Sequence, residues 1–597
     1  MNRKTTLALL LLLALAGCGD SAKRTGIVGD DTNVTDTNTT DPSDDNTTES
    51  PDNNETDSNS TDSPVVLGAP VEYSDRLYAE KEGPSDFDLG NSSDTPVNIE
   101  APVQPMCYTK HDAKYNPCYV CHQDYKSGEG RANRMNDGFL QNKYAFSDYA
   151  FTNHWTNLFK DRSAAVDAIS DKTILDYVNT ENYTALAPML VSHDWVGYIP
   201  DIKNLQLGAE AFDEHGFAKD GSGWVAFNYK PLPSTFWPAN GSTDDVMIRL
   251  AKAFRQNSDG NWSLTAYRFN LAIVEAALKN MDEITVDGLD ERLIGTDLNG
   301  DNVLGVVTSI TRPDHYVGAA GDIPVETYLY PRYTEFLHSV RYIGVNEDGT
   351  IYNAPRLKEL RYMIKVKSYH DENVPYTKSM LGAFYDTEYQ EKIEGNNPPS
   401  YPSQGEKGID EKFGWWLQGF IEDAGGDLRP QTYEETVFCA GCHATIGSTY
   451  DQTFAFARKI DGADGWGYIN LHGMKDAPTL GESKGEILTY LERVGGGNEF
   501  RIANDVYARY FDNGELNETK VLNAADVYEL ITPTRASALE MNKAYRVLVQ
   551  EQSFLYGRDA HVHPVVNVHQ TIDETTPTLP EAKSFKWDLR MEWSRQP

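Results

Sequence analysis

The chain has 597 residues, of which 40% are hydrophobic and 24% charged, so most of it has the composition of a folded globular protein. A prior of roughly 150 residues per domain predicts about two to four domains. No internal stretch of about 18 apolar residues occurs, which excludes a polytopic membrane protein. The formal charge of -37 makes nucleic acid an unfavourable partner.

The first 18 residues have the pattern of an export signal. A basic start is followed by an apolar run from Leu7 to Leu15 and by small residues before Cys18. The ending Leu15-Ala16-Gly17-Cys18 resembles the lipobox of bacterial lipoproteins, which implies a lipid on Cys18. The alternative, a plain secretory signal, leaves an exposed free thiol at the mature terminus. By the same resemblance, Gly19 after the cysteine favours the outer membrane.

Residues 19–65 consist almost entirely of Asp, Asn, Thr, Ser, Glu, Gly and Pro. Such a segment lacks the apolar surface that offsets the loss of chain entropy on folding. The sequence therefore predicts an acidic, disordered tether between the lipid and the folded part.

Two five-residue motifs contain four of the five cysteines that follow Cys18. They are Cys118-Tyr119-Val120-Cys121-His122 and Cys439-Ala440-Gly441-Cys442-His443. Cys-x-x-Cys-His is the pattern of c-type haem attachment. Positions i, i+3 and i+4 project from one side of a helical turn, so two thiols can bond to the haem while the histidine meets the iron. Asn116 and Pro117 predict a helix start at the first motif.

Other uses of these cysteines are open. A disulfide or a thioredoxin-like redox pair does not explain the histidine that follows each pair. A four-thiolate zinc site would need its halves to meet across 321 positions, from Cys118 to Cys439, whereas familiar zinc ribbons separate them by roughly 15 to 20. Cys107 is left over, with a buried apolar role or a redox role as alternatives.

With these motifs the chain resembles a dihaem c-type cytochrome over a few dozen residues around each one. The resemblance implies two covalently bound haem c groups with His122 and His443 as proximal iron ligands. It implies a mixed, mainly α fold with some β structure, in which cytochrome c-like helical regions at 66–200 and 426–597 flank an inserted mixed domain at 201–425.

The distal ligands are less defined by sequence. His472 and Met474 follow the second motif, and His111, His154, Met106 and Met135 lie near the first. A C-terminal histidine cluster, His561, His563 and His569, could reach either haem. For each histidine the alternative is an ordinary surface or hydrogen-bonded role.

The segment between the motifs has its own periodicities. Residues 244–254 and 267–281 have the apolar spacing of core helices. Residues 340–345 and 360–366 indicate strands, with a turn at Gly349. Trp415 and Trp416 lie shortly before the second motif, where aromatic rings could shield a haem or relay electrons, although such rings mostly fill cores.

Asp297, Asn299 and Asp301 place oxygen donors at positions 1, 3 and 5 of a candidate calcium loop. Asn302 stands where glycine is expected and Thr308 where a bidentate glutamate is expected. An Asx-rich turn is the alternative, because it needs the same residues for local hydrogen bonds.

Two functions fit these features. One is an electron carrier at the cell envelope, whose acidic surface would meet a basic docking face on redox partner proteins. The other is a haem enzyme of peroxidase or oxygenase type, with one relay haem and one open iron. A third hypothesis is a binding module in which haem has a purely structural role. Two haems in about 530 folded residues leave much protein to build a pocket.

Overall fold

The computed structural model describes residues 73–77, 87, 89, 97, 98, 100–123, 137–234, 236–367, 401–444, 446–497 and 504–594. By contacts the chain divides into residues 1–64 and 65–597. The signal, Cys18 and nearly all of the tether lie in the first unit, of which no residue is described. Met135 lies in the second unit and is also outside the described residues. No helix in the described ranges has the length and apolar character that a bilayer crossing requires.

A seven-stranded antiparallel sheet organises the second unit. Its order is β1-β2-β5-β6-β8-β7, and β9 pairs with β8. The strands are β1 Val225–Ala226, β2 Thr243–Arg249, β5 Glu335–Val345, β6 Ile351–Lys365, β7 Ile409–Asp410, β8 Trp415–Glu422 and β9 Leu428–Pro430. Two hairpins stand apart, β3 Glu283–Asp290 with β4 Val306–Thr311, and β10 Phe511–Asp512 with β11 Glu515–Leu516.

Eleven α-helices occur in the described part of the chain. They are α1 Tyr73–Arg76, α2 Ser163–Asp167, α3 Asp171–Val178, α4 Leu186–Ser192, α5 Leu264–Lys279, α6 Tyr433–His443, α7 Glu486–Val494, α8 Asn504–Tyr510, α9 Glu518–Leu522, α10 Val527–Ile531 and α11 Arg535–Glu551. The helix expected at 267–281 is confirmed as α5, and the two expected strands belong to β5 and β6. Gly349, at a φ of +89°, closes the turn between them as expected.

The predicted mainly α, cytochrome c-like fold is wrong. The described residues are about 33% helical and 19% strand, and they include a seven-stranded antiparallel sheet. The helix expected at 244–254 is strand β2 followed by a short 3-10 turn. Every residue of β2 is buried, so its two faces are both covered and the apolar spacing no longer follows a two-residue period.

The sheet positions the site through its register. Val246 pairs with His338, which pairs with Arg361 across β2, β5 and β6. Phe336, Met363 and Leu417 form the neighbouring row across β5, β6 and β8. Cross-strand partners project from the same face of a sheet. This face forms one wall of the cavity described below, and residues such as Leu337 and Leu360 on the opposite face belong to a separate apolar core.

Candidate functional site

The second motif occupies the end of helix α6. Its start is a capping box: the Thr432 side chain accepts from the backbone N–H of Glu435, and the Glu435 carboxylate accepts from the N–H of Thr432. Arg429 donates to the same carboxylate through both terminal nitrogens, at 2.8 and 2.9 Å. These contacts hold a regular helix, so Cys439, Cys442 and His443 project from one side of it, as the motif requires.

The first motif follows a shorter helical turn. Pro117–Val120 forms a 3-10 helix, which the Asn116 side chain caps by accepting from the N–H of Tyr119 at 3.0 Å. The His122 N–H then donates to the carbonyl of Cys118 at 3.0 Å. The expected helix start is present, and this last bond brings Cys118 and His122 onto one turn.

The fold brings the two motifs together. The N–H of Ser448 donates to the carbonyl of Cys121 at 3.1 Å, and the N–H of Gly447 donates to the Asp137 carboxylate at 3.1 Å. Burial raises the pKa of the Cys121 thiol, and the nearby Cys442 and Cys107 raise it further. Segments that are 321 positions apart in the sequence are therefore neighbours.

Both motif histidines have one ring nitrogen engaged. His443 Nδ1 lies 2.7 Å from the carbonyl of Gln452, to which it can only donate. His122 Nδ1 lies 2.9 Å from Oδ2 of Asp137. Neither Nε2 atom makes a hydrogen bond within the described residues. This is the arrangement of histidines that bind metals through Nε2, because the bond at Nδ1 fixes the tautomer and the ring orientation.

A large cavity adjoins the second motif, and we call it the motif cavity. It encloses about 1070 Å³ of empty space, including its opening to solvent. Cys439, Cys442 and His443 line it together with Phe336, Phe454 and other mostly apolar side chains. Burial lowers the pKa of His443 to about 4, which keeps its imidazole neutral.

His338 is a further histidine of this cavity, and the sequence analysis did not select it. It lies on β5, and its Nε2 is 3.1 Å from Oδ2 of Asp244. Phe336 and His338 line the cavity at two-residue spacing. The strand predicted at 340–345 begins after both residues, and the alternation of apolar and polar residues just before it was the available signal. Met106 was predicted as a distal ligand near the first motif, but it lines the cavity beside the second motif.

The other distal candidates lie elsewhere. His472 is exposed and stacks on Tyr528, with ring centroids 3.8 Å apart, and neither it nor the buried Met474 lines the motif cavity. His154 stacks on Tyr149 and lies 3.2 Å from its carbonyl.

Three more histidines named in the sequence analysis do not line the motif cavity. His111 and His569 both contact the ring of Tyr144, whose pKa is raised by burial and by the nearby Cys118. His563 contacts Ser163 on the surface.

Cys107 lies near the junction of the motifs. It sits in the 3-10 helix Pro105–Tyr108, and its N–H donates to the carbonyl of Gln104. Burial raises the pKa of its thiol to about 11, so it is protonated at neutral pH. Cys107 also contributes to the raised pKa values of Cys118, Cys121 and Cys442, which identifies it as their neighbour.

Metal alternatives find little support in the described residues. No group of three or more His, Cys, Asp or Glu among them is arranged to hold a metal ion, which argues against four-thiolate zinc. Asp297 accepts from the N–H groups of Gly300 and Asn302, both at 2.7 Å, and Asn299 donates to Asp301 at 2.9 Å. These bonds account for the segment as an Asx turn, and calcium there stays a prediction.

Comparison with known proteins identifies the kind of protein. A family model for lipoproteins matches residues 93–519. An uncharacterized lipoprotein of Aquifex aeolicus is 30% identical over 520 residues, covering 77% of this chain and 86% of the relative. No solved structure matches. The chain belongs to this lipoprotein family.

Family membership confirms part of the sequence analysis and corrects part. The protein is a lipoprotein, held at a membrane of the cell envelope by a lipid on a cysteine. The resemblance to dihaem c-type cytochromes is wrong as an assignment, because the matching family is one of lipoproteins and no cytochrome c family matches. A five-residue motif can occur on unrelated folds, so it does not define a family.

Proposed function

We propose that each Cys-x-x-Cys-His motif attaches a haem covalently, within a fold unrelated to cytochrome c, and that the protein passes electrons at the cell envelope. The observation that carries this proposal is the state of the two motif histidines. Each has Nδ1 held by an acceptor and Nε2 without a hydrogen bond among the described residues. A histidine with Nδ1 held and Nε2 open is oriented to bind a metal through Nε2.

The donor set fits the group. Cys439 and Cys442 are on one helical face and line the same cavity as His443. Aromatic and aliphatic side chains form most of the walls of that space. A haem bound there supplies one-electron chemistry at its iron, with a potential that depends on the axial ligands and burial. The chain contributes the thiols, a neutral imidazole and an apolar enclosure.

Adjacency of the two motifs supports electron transfer between them. The bonds from Ser448 to Cys121 and from Gly447 to Asp137 join the segment after the second motif directly to the first. Electrons entering at one site would therefore have a near neighbour to pass to. The partner we propose is a redox protein with a basic docking face, given the formal charge of -37. The anchor we propose is Cys18, at the outer membrane.

The test is haem content of the full-length protein, produced with periplasmic haem maturation. Intact mass and the pyridine haemochrome spectrum should give two thioether-linked haems per chain. The double change Cys118→Ala with Cys121→Ala should leave one, and so should Cys439→Ala with Cys442→Ala. Cys107→Ala, the matched control, should leave two. A chain that matures without covalent haem would refute the proposal.

The motif cavity also favours a second candidate, an enzyme of peroxidase or oxygenase type. Asp244 holds one nitrogen of His338, whose Nδ1 makes no hydrogen bond within the described residues. Such a pair can act as an acid–base group facing an open iron. Optical and EPR spectra separate the candidates. Two low-spin signals that do not change when carbon monoxide or cyanide is added indicate an electron carrier. One high-spin signal that changes on adding these ligands indicates an open iron and therefore an enzyme.

A further inference from the structure

A second cavity opens beside the motif cavity, and we call it the polar chamber. It encloses about 860 Å³ of empty space, including its opening to solvent. The two cavities have six lining residues in common, namely Met106, Phe236, Asp244, His338, Arg361 and Phe438. The chamber differs from the motif cavity in chemistry, because three cationic side chains, Lys358, Arg361 and Arg558, line it.

Hydrogen-bond donors in this chamber lack acceptors. The hydroxyl of Tyr545 and the Nε of Arg558 are buried and make no hydrogen bond in the described part of the chain. Arg361 donates from Nε to Glu359 at 3.0 Å, and its two terminal nitrogens make no hydrogen bond among the described residues. Buried donors without acceptors are energetically unfavourable, so such a cluster indicates an acceptor-rich ligand.

The chamber's carboxylates are already engaged. Glu359 accepts from Arg361 and also from Arg558, at 2.9 Å, and Asp244 faces His338. Asp559 also lines the chamber and is its third carboxylate. The chamber is therefore lined by equal numbers of acidic and basic side chains. The donors without acceptors indicate a ligand, and net charge does not. The two free terminal nitrogens of Arg361 are parallel donors that match the geometry of carboxylates and oxyanions. Arg558 offers Nε alone, because its terminal nitrogens donate to Glu359 and to the carbonyl of Glu435.

We propose that the polar chamber binds a small carboxylate or oxyanion through the Tyr545 hydroxyl and the guanidinium groups of Arg361 and Arg558. The anion has two sources. It is either a free anion from the envelope, or a propionate of a haem attached in the motif cavity, and only the second rests on the proposed function. Lys358 lies beside these groups: its Nζ donates to the carbonyl of Gly241 and lies 4.1 Å from the ring centre of Tyr545.

The experiment is calorimetric titration of the full-length, haem-matured protein with formate and with nitrite, alongside its reduction potentials. Tyr545→Phe removes only the unpaired hydroxyl, and Arg361→Gln is a second variant. Tyr316→Phe is the matched control, because that buried tyrosine packs on Phe254 and lines neither cavity. A hydrogen bond to a charged group is worth roughly tenfold or more in affinity.

The outcomes separate the sources. A free-anion site gives saturable binding that Tyr545→Phe and Arg361→Gln weaken about tenfold and Tyr316→Phe leaves unchanged. A propionate site gives no binding to the haem-loaded protein and a shifted reduction potential in Tyr545→Phe. If neither anion binds and no potential moves, the chamber holds only water and the proposal fails. Haem content, measured separately on the same samples, reports on the proposed function.

Discussion

The N–H of Gly447 donates a 3.1 Å hydrogen bond to the carboxylate of Asp137. The same carboxylate orients His122 through Nδ1 and accepts from the N–H of Gln123 at 2.9 Å. One buried side chain thus joins the loop after the second motif to the histidine of the first. The two candidate haem sites are mechanically linked at this point.

Asp137→Asn should change the reduction potential of the haem at the first motif and leave the potential at the second motif unchanged. Loss of the carboxylate makes His122 a weaker electron donor, so the reduction potential of its haem should rise. His443 bonds to a backbone carbonyl instead, and its haem should be unaffected. A redox titration followed optically gives both potentials in one sample. Equal shifts at both sites would contradict this role of Asp137.

Thr432→Ala should destabilise the helix that carries the second motif. The change removes the capping-box acceptor for the N–H of Glu435, which costs about 1 kcal/mol of the free energy of unfolding. Ser170→Ala, which removes the corresponding cap of α3, is the matched control. Urea denaturation should give similar losses for both. Only Thr432→Ala should increase alkylation of Cys439 in haem-free protein, and equal labelling would count against the assignment.

Glu486→Gln should destabilise the protein strongly. The Glu486 carboxylate pairs with Arg458, which is fully buried and lines the motif cavity, and with Lys230 at 3.3 Å. Removing one charge of a buried pair costs about 3 to 5 kcal/mol, because the remaining cations stay desolvated. Lys172→Ala in an exposed pair with Asp176 is the control, with an expected change within about 0.5 kcal/mol. Comparable losses in the two variants would refute this account.

Lys358→Met should flatten the pH dependence of stability above pH 7. Burial lowers the pKa of Lys358 to about 7 from 10.5. Between these values the unfolded chain binds a proton that the folded chain does not, so the free energy of unfolding rises with pH. The slope from this group is at most about 1.4 kcal/mol per pH unit. Denaturation measured from pH 7 to 10 should show this slope in the native protein and not in Lys358→Met. Identical slopes in the two proteins would exclude Lys358 as its source.

Local patterns were sufficient for several elements. Helix α5 and the hairpin of β5 and β6 followed from periodicity and from a glycine turn, because neighbouring residues alone determine them. Strand β2 was mistaken for a helix because both of its faces are buried, which hides the two-residue period. The motifs named the candidate attachment residues but suggested the wrong family, since five residues contain no information about topology.

By itself, the sequence determined the lipoprotein signal, the two Cys-x-x-Cys-His motifs and the hairpin at Gly349, because each is a local pattern of residue types. Only the tertiary structure decided that motifs 321 positions apart are neighbours. It alone placed His338 and Met106 in the motif cavity and gathered Arg361, Tyr545 and Arg558 in the polar chamber. The reason is physical: these side chains come from strands and helices distant in the chain, and only sheet register and packing bring them together.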